Sequence, residues 1–153
     1  MQTRALAVGA GGPLLAAAVG GLAARDAETI YARLEKPSWA PPAGVFGPVW
    51  SALYAMIGVA GWRVVQRRSG TLPLALHLTQ LGLNAAWTPL FFGRRRKRAA
   101  LGVVAALDVV VAAEVALLAR RDPLAAGLLG PYLAWSLFAT ALNAAVQDPQ
   151  AAR

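Results

Sequence analysis

Three sets of aromatic and amide side chains recur at helical spacing, and their chemistry is stacking and hydrogen bonding rather than bond making. Trp50 and Tyr54 stand one turn apart, Asn84 and Trp87 follow in a second segment, and Tyr132, Trp135, Ala139 and Asn143 share a face in a third. Rings in an apolar setting give flat contact area, and a few carboxamides fix a ligand's orientation. Trp50, Tyr54, Asn84, Trp87, Trp135 and Asn143 are therefore the candidate walls of one pocket for a large planar molecule. With 1 histidine, 0 cysteines and scattered acids, the sequence has no convergent ligand spacing, and no metal is expected.

The approach to Trp50 reads KPSWAPPAGVFGPVWSALY from Lys36 to Tyr54. Pro37, Pro41, Pro42 and Pro48 remove backbone donors and hold the chain extended or kinked, as suits a shaped site better than a tether. Trp39 and Trp50 suit either a membrane boundary or a flat ligand. Upstream, Asp26, Ala27, Glu28, Thr29, Ile30 and Tyr31 are expected to form a short helix, with Tyr31 lying over one end of the bundle as a lid.

These residues need elements to position them, and composition says which. With 153 residues, 58% apolar and 14% charged, and a mean hydropathy of +0.50, the chain is a polytopic membrane protein. Apolar stretches of roughly 20 residues, the length that crosses a bilayer, fall at 5–24, 44–62, 74–92, 99–118 and 124–146. The expected fold is all-α, a single five-helix membrane domain over 1–153 with a ligand-lid loop at 25–43. Arg4 and the small residues near Gly21 and Ala23 also suit a cleaved leader, but the apolar stretch exceeds the roughly 7 to 15 residues of a leader core. The first span is expected to stay.

Charge orients the bundle. Arg25, Arg33, Lys36, the run Arg94, Arg95, Arg96, Lys97 and Arg98, and the C-terminus fall on one side; Arg4, Arg67, Arg68, Arg120 and Arg121 fall on the other. The excess predicts a cytoplasmic first loop, third loop and C-terminus, in a bacterial cell membrane. A formal charge of +8 and the RRRKR run also suit nucleic acid. Between two spans, a topology signal in contact with lipid headgroups is the better reading, and no nucleic-acid partner is expected.

In the third span, His77, Gln80, Asn84, Trp87 and Phe91 fall within about 80° on a helical wheel, opposite Ala75, Gly82, Ala86 and Gly93. The polar stripe lines an interior, either as pocket wall or as interhelical hydrogen bonding with aromatic core filling; the small face admits a close neighbour or a second copy, hence an expected homodimer. Gly12, Ala16 and Gly20 form a similar ridge in the first span. Trp62 is an interfacial anchor. Asp108 is expected to make a structural hydrogen bond, and Glu114 lies toward the same end of the bundle as His77, within reach as a pair.

KPSWAPP with VFGPVWSALY, QLGLNAAWTPLFF from Gln80 to Phe92, and PYLAWSLFATALN from Pro131 to Asn143 resemble the translocator protein family, also called tryptophan-rich sensory proteins or TspO/MBR. The resemblance implies a five-helix, commonly dimeric receptor or sensor whose pocket binds tetrapyrroles such as protoporphyrin IX or haem as ligand, with no cofactor required. It maps the ligand-binding set onto Tyr31, Trp39, Trp50, Tyr54, Asn84, Trp87, Trp135, Ala139 and Asn143. Two further activities follow from it as alternatives: light-dependent porphyrin breakdown, which would use Trp50 and Trp135, and tetrapyrrole or lipid transport. Gly44 stands where many members carry tryptophan, which loosens the pocket mouth. Ala144, Ala145 and Gln147 depart from the family's sterol motif, so cholesterol is not an expected partner.

Overall fold

The structure, a computed structural model, describes residues 2–23, 27–94 and 96–147, without the side chains of Gln2, Arg4, Gly20 and Ala23. Parts of the expected first span, lid and basic loop fall on Ala24, Arg25, Asp26 and Arg95, which lie outside the described residues.

Five long helical rods and one short helix make up the described chain. The first rod is α1 (Gln2–Leu6), a π turn (Ala7–Gly11) and α2 (Gly12–Ala23) in one run. The short α3 (Ala27–Arg33) and a 3-10 turn (Ala43–Val45) lead to α4 (Phe46–Gln66), followed by α5 (Thr71–Thr88) with a π turn (Pro89–Gly93), α6 (Lys97–Arg121) and α7 (Pro123–Ala145). Both π turns sit beside a proline. Pro89 has no N–H for the carbonyl four residues back, and the helix continues in the wider register in which Arg94 N–H donates to Pro89 O at 2.9 Å. The ring of Pro13 would crowd the carbonyl of Gly9, and the π turn before it opens that spacing.

The all-α membrane fold is as expected, with span edges moved by a few residues and the short α3 beside the five rods, but not every rod is long and apolar enough to count as a span by itself. Among the described residues, three helices are long and apolar enough to cross a membrane, Ala43–Gln66, Lys97–Arg121 and Pro123–Ala145, while the first rod offers the shorter apolar stretch Ala7–Val19. The reason is compositional: α5 carries His77, Gln80 and Asn84, all buried toward its neighbours, so its hydropathy understates how well it sits in a bundle.

Lipid tails are as apolar as leucine, so the helices hold together by close packing and polar contacts rather than by hydrophobic exclusion. The core joins Leu53, Ile57 and Val64 of α4 to Leu107 and Val111 of α6 and Leu129 of α7. A Cβ at Gly58 would overlap the carbonyl of Gly9, so this glycine pair sets the crossing of the first rod with α4. Of the expected ridge in the first span, Gly12 packs on Leu81 and Ala16 is buried, while the surroundings of Gly20 lie outside the described residues. Among the described residues, a Cβ at Gly82 on the small face of α5, or at Gly93 in the following π turn, would meet nothing within 4 Å.

Polar clamps tie the two ends. At one, Arg63 Nε donates to both oxygens of Asp122 at 3.2 and 3.0 Å and Nη2 adds a third bond at 2.9 Å, while Arg121 Nη1 donates to Ser69 O at 2.6 Å. Asp122 also caps α7 by accepting from Ala125 N–H. The hydrogen bonds from Arg63 hold the Asp122 carboxyl below its ordinary value. At the other end Glu35 and Gln147 exchange two backbone bonds, each 3.0 Å, and Lys97 Nζ donates to Val146 O. The first loop, third connection and C-terminal segment thus share one end.

Candidate functional site

A cavity of about 540 Å³ opens at this second end. α4 contributes Trp50, Ser51 and Tyr54; α5 and its π turn contribute Asn84, Trp87, Thr88, Phe91 and Phe92; α7 contributes Trp135, Ala139, Leu142 and Asn143. Tyr31 of α3, with Gly44 and Phe46, covers the mouth. The lid is held by its own contacts: Tyr31 Oη donates to Pro41 O at 2.9 Å, its ring meets Phe46 edge-on at 5.3 Å, and Leu34 packs with Leu142 and Val146. Burial pushes the Tyr31 hydroxyl above its ordinary value, in keeping with its role as a donor.

The aromatic walls are ordered by ring contacts. Trp50 lies 5.4 Å from Tyr54 at a tilt of 33°, Trp87 stacks on Phe91 at 5.2 Å, and Trp135 meets Phe46 edge-on at 5.8 Å. Both carboxamides are engaged by the protein itself. Asn84 Oδ1 accepts from Tyr54 Oη at 2.7 Å and its Nδ2 donates to Tyr132 Oη at 3.0 Å. Asn143 Oδ1 accepts from Trp87 Nε1 at 3.1 Å and its Nδ2 donates to Lys97 O at 3.3 Å. The amides thus fix the orientation of the walls. Glu28 at the rim is the charged side chain among the described lining residues. Such a site offers flat aromatic area and enclosure.

Eight of the nine expected site residues, Tyr31, Trp50, Tyr54, Asn84, Trp87, Trp135, Ala139 and Asn143, line this one cavity. Over these blocks the match to known proteins is direct: a family model described as the TspO/MBR family covers residues 9–148. The chain belongs to the TspO/MBR family. It is 44% identical to the translocator protein of Homo sapiens over 118 residues, which is 74% of this chain and 70% of that protein. It is 41% identical to the tryptophan-rich sensory protein of Cereibacter sphaeroides over 113 residues, 74% of this chain and 72% of the other. With the tryptophan-rich protein TspO of Archaeoglobus fulgidus it shares 39% over 125 residues, 80% of this chain and 81% of that one. Family and apolar helices together make this an integral membrane protein.

Trp39 lies apart from these eight. It is half exposed and contacts Phe138 edge-on at 5.8 Å, outside the cavity lining. The turn at Pro37 to Ala40 directs it outward, which residue type alone does not reveal. Phe46, Phe92, Leu142 and Val146 line the cavity and were missed. Phe46 was within reach, since Phe46, Trp50 and Tyr54 follow at four-residue spacing on one face. At Gly44, in the cavity lining, a Cβ would meet nothing within 4 Å among the described residues, so a larger side chain has room there. Trp62 is partly exposed at its end of α4. Thr140 Oγ1 donates to Asp108 Oδ2 at 2.6 Å, the structural hydrogen bond expected of Asp108.

Proposed function

We propose that the cavity binds a tetrapyrrole such as protoporphyrin IX or haem and that the chain is a membrane receptor or sensor for it. The observation that carries this reading is the enclosure of Trp50, Tyr54, Trp87 and Trp135 around one space of about 540 Å³, inside the roughly 300–1,000 Å³ range of small-molecule sites. A flat macrocycle gains contact on both faces in such a space, and the wall-orienting amides keep the rings from collapsing into it. Association through the outward small face of α5 and a cytoplasmic position for the cavity end belong to the same reading.

Titration of the purified protein with protoporphyrin IX should quench tryptophan fluorescence with a submicromolar to micromolar dissociation constant, and Trp50→Phe or Trp135→Phe should weaken it. Equal titrations in wild type and both variants would remove the cavity as the site. A sterol titrated alongside is the negative control.

A second reading draws on the positions of Trp50 and Trp135, indoles on two walls of one space. Light-excited porphyrin held there could be degraded. Illuminated porphyrin should then lose absorbance faster with the protein than with a tryptophan-matched control, and the double Phe variant should erase the difference. Equal bleaching rates would dismiss it.

A further inference from the structure

His77 and Glu114 form a pair that the cavity does not use. Nδ1 of His77 lies 2.7 Å from Oε1 of Glu114, and neither side chain has exposed surface. His77 Nε2, Glu114 Oε2 and both amide atoms of Gln80 are buried without a hydrogen-bond partner among the described residues. Ionisable groups inside a membrane bundle are costly and mark functional positions.

His77 of the pair shares a buried helix face with the cavity wall. On α5, His77, Gln80 and Asn84 follow at single-turn spacing and all are buried, so one polar stripe runs from the pair to the cavity wall. From the wall, Tyr54 donates to Asn84 and Asn84 donates to Tyr132. Tyr132 lies within electrostatic reach of Glu114 and Asp108. Its oxygen accepts from Asn84, which leaves its own proton to be donated elsewhere.

Gly61 supplies the mechanical link. A Cβ there would overlap Nε2 and the adjoining carbons of His77, so the Nε2 edge of the ring rests on the α4 backbone. A proton at Nε2 is then a donor facing a Cα with no acceptor, and the ring or α4 must shift to satisfy it. α4 also carries Trp50 and Tyr54 into the cavity, two to three turns away.

We propose that His77 and Glu114 form an internal proton-binding site linked to the cavity, so that cavity occupancy and proton occupancy at the pair alter each other. Tyr132 of α7 lies within electrostatic reach of Glu114, and Asp108 of α6 and Tyr54 of α4 lie within reach of Tyr132 in turn. α2 presents no titratable side chain and α5 none besides His77, while Arg63 of α4 is held by Asp122 at the end of the bundle. One arm of the test rests on the tetrapyrrole reading and the other does not.

His77 is the chain's 1 histidine, so nitrogen-15 labelling of the imidazole in untagged protein in nanodiscs gives signals that need no assignment. Protoporphyrin IX, added until tryptophan fluorescence is quenched, should displace the Nδ1 and Nε2 shifts at constant pH, and Tyr132→Phe should shrink that displacement. In ligand-free wild type, tryptophan emission should step at the pH where the His77 nitrogens change, and His77→Gln should abolish the step. Quenching that leaves the His77 shifts unmoved overturns the linkage. So does an emission profile in ligand-free wild type that does not follow the His77 nitrogens, a comparison that needs no variant. Absence of any quenching would instead remove the tetrapyrrole reading, and the ligand-free comparison then decides the proposal by itself.

Discussion

The indole N–H of Trp87 donates to the amide oxygen of Asn143 at 3.1 Å, and the same amide donates to the backbone carbonyl of Lys97 at 3.3 Å. One side chain of α7 therefore fixes a cavity ring on α5 and the first turn of α6. Asn143→Leu keeps the volume and removes both bonds. The indole N–H of Trp87 is partly buried, so losing its partner costs about 1 kcal/mol, the low end for an unsatisfied donor, and the thermal midpoint in detergent should fall and protoporphyrin IX should bind more weakly. Asn143→Asp, which keeps the acceptor for Trp87, should lose less affinity in the same fluorescence titration.

Trp50 and Trp39 separate a cavity wall from a surface ring. Aromatic pairs contribute about 0.5–1.5 kcal/mol beyond their area, roughly two- to tenfold in affinity. Trp50→Phe trims that contact and should raise the dissociation constant for protoporphyrin IX within this range. Trp39→Phe changes a half-exposed ring whose neighbour is Phe138 and should leave the constant unchanged.

Those two tryptophans also mark what the sequence makes legible. Trp50 sits inside a regular helix, where four-residue spacing to Tyr54 fixes its face, and the buried stripe His77, Gln80 and Asn84 follows from periodicity in the same way. Trp39 lies in a proline-bounded turn, where the backbone path decides direction and no period exists to read. An asparagine's address follows from its helix face, as at Asn84 and Asn143, while its hydrogen bonds depend on two other helices and no period reveals them. Pairings such as Arg63 with Asp122 join distant chain segments and become visible only when the helix ends are brought together.

The Arg63–Asp122 clamp predicts a pH dependence with a definite sign. Hydrogen bonds from Arg63 hold the Asp122 carboxyl below its ordinary value of 3.8. A group depressed in the folded state adds stability above its unfolded value and loses it as pH falls through the folded one. Side-chain exposure is 17% for Arg63 and 3% for Asp122, so breaking the pair belongs with buried pairs, at about 3 kcal/mol. Arg63→Ala should lower the thermal midpoint at pH 7, and its difference from wild type should narrow as acid protonates Asp122. A constant difference across that range would mean that Arg63 acts through packing instead.

Gly58 and Gly82 are both helical glycines, and their surroundings assign them opposite tasks. A Cβ at Gly58 would overlap the Gly9 carbonyl, so Gly58→Val must push the first rod off α4 and should lower the thermal midpoint whatever the protein's state of association. A Cβ at Gly82 meets nothing within 4 Å, so Gly82→Val fits the isolated chain without a clash. Replacing a helical glycine also removes unfolded-state entropy, which favours the folded chain by about 0.4–1 kcal/mol where the backbone allows it. If copies pack through the small face of α5, Gly82→Val should shift sedimentation equilibrium toward monomer. Protoporphyrin IX should still bind, because Gly82 lies outside the cavity lining. An unchanged association state in Gly82→Val would show that Ala75, Gly82, Ala86 and Gly93 face lipid rather than a second copy.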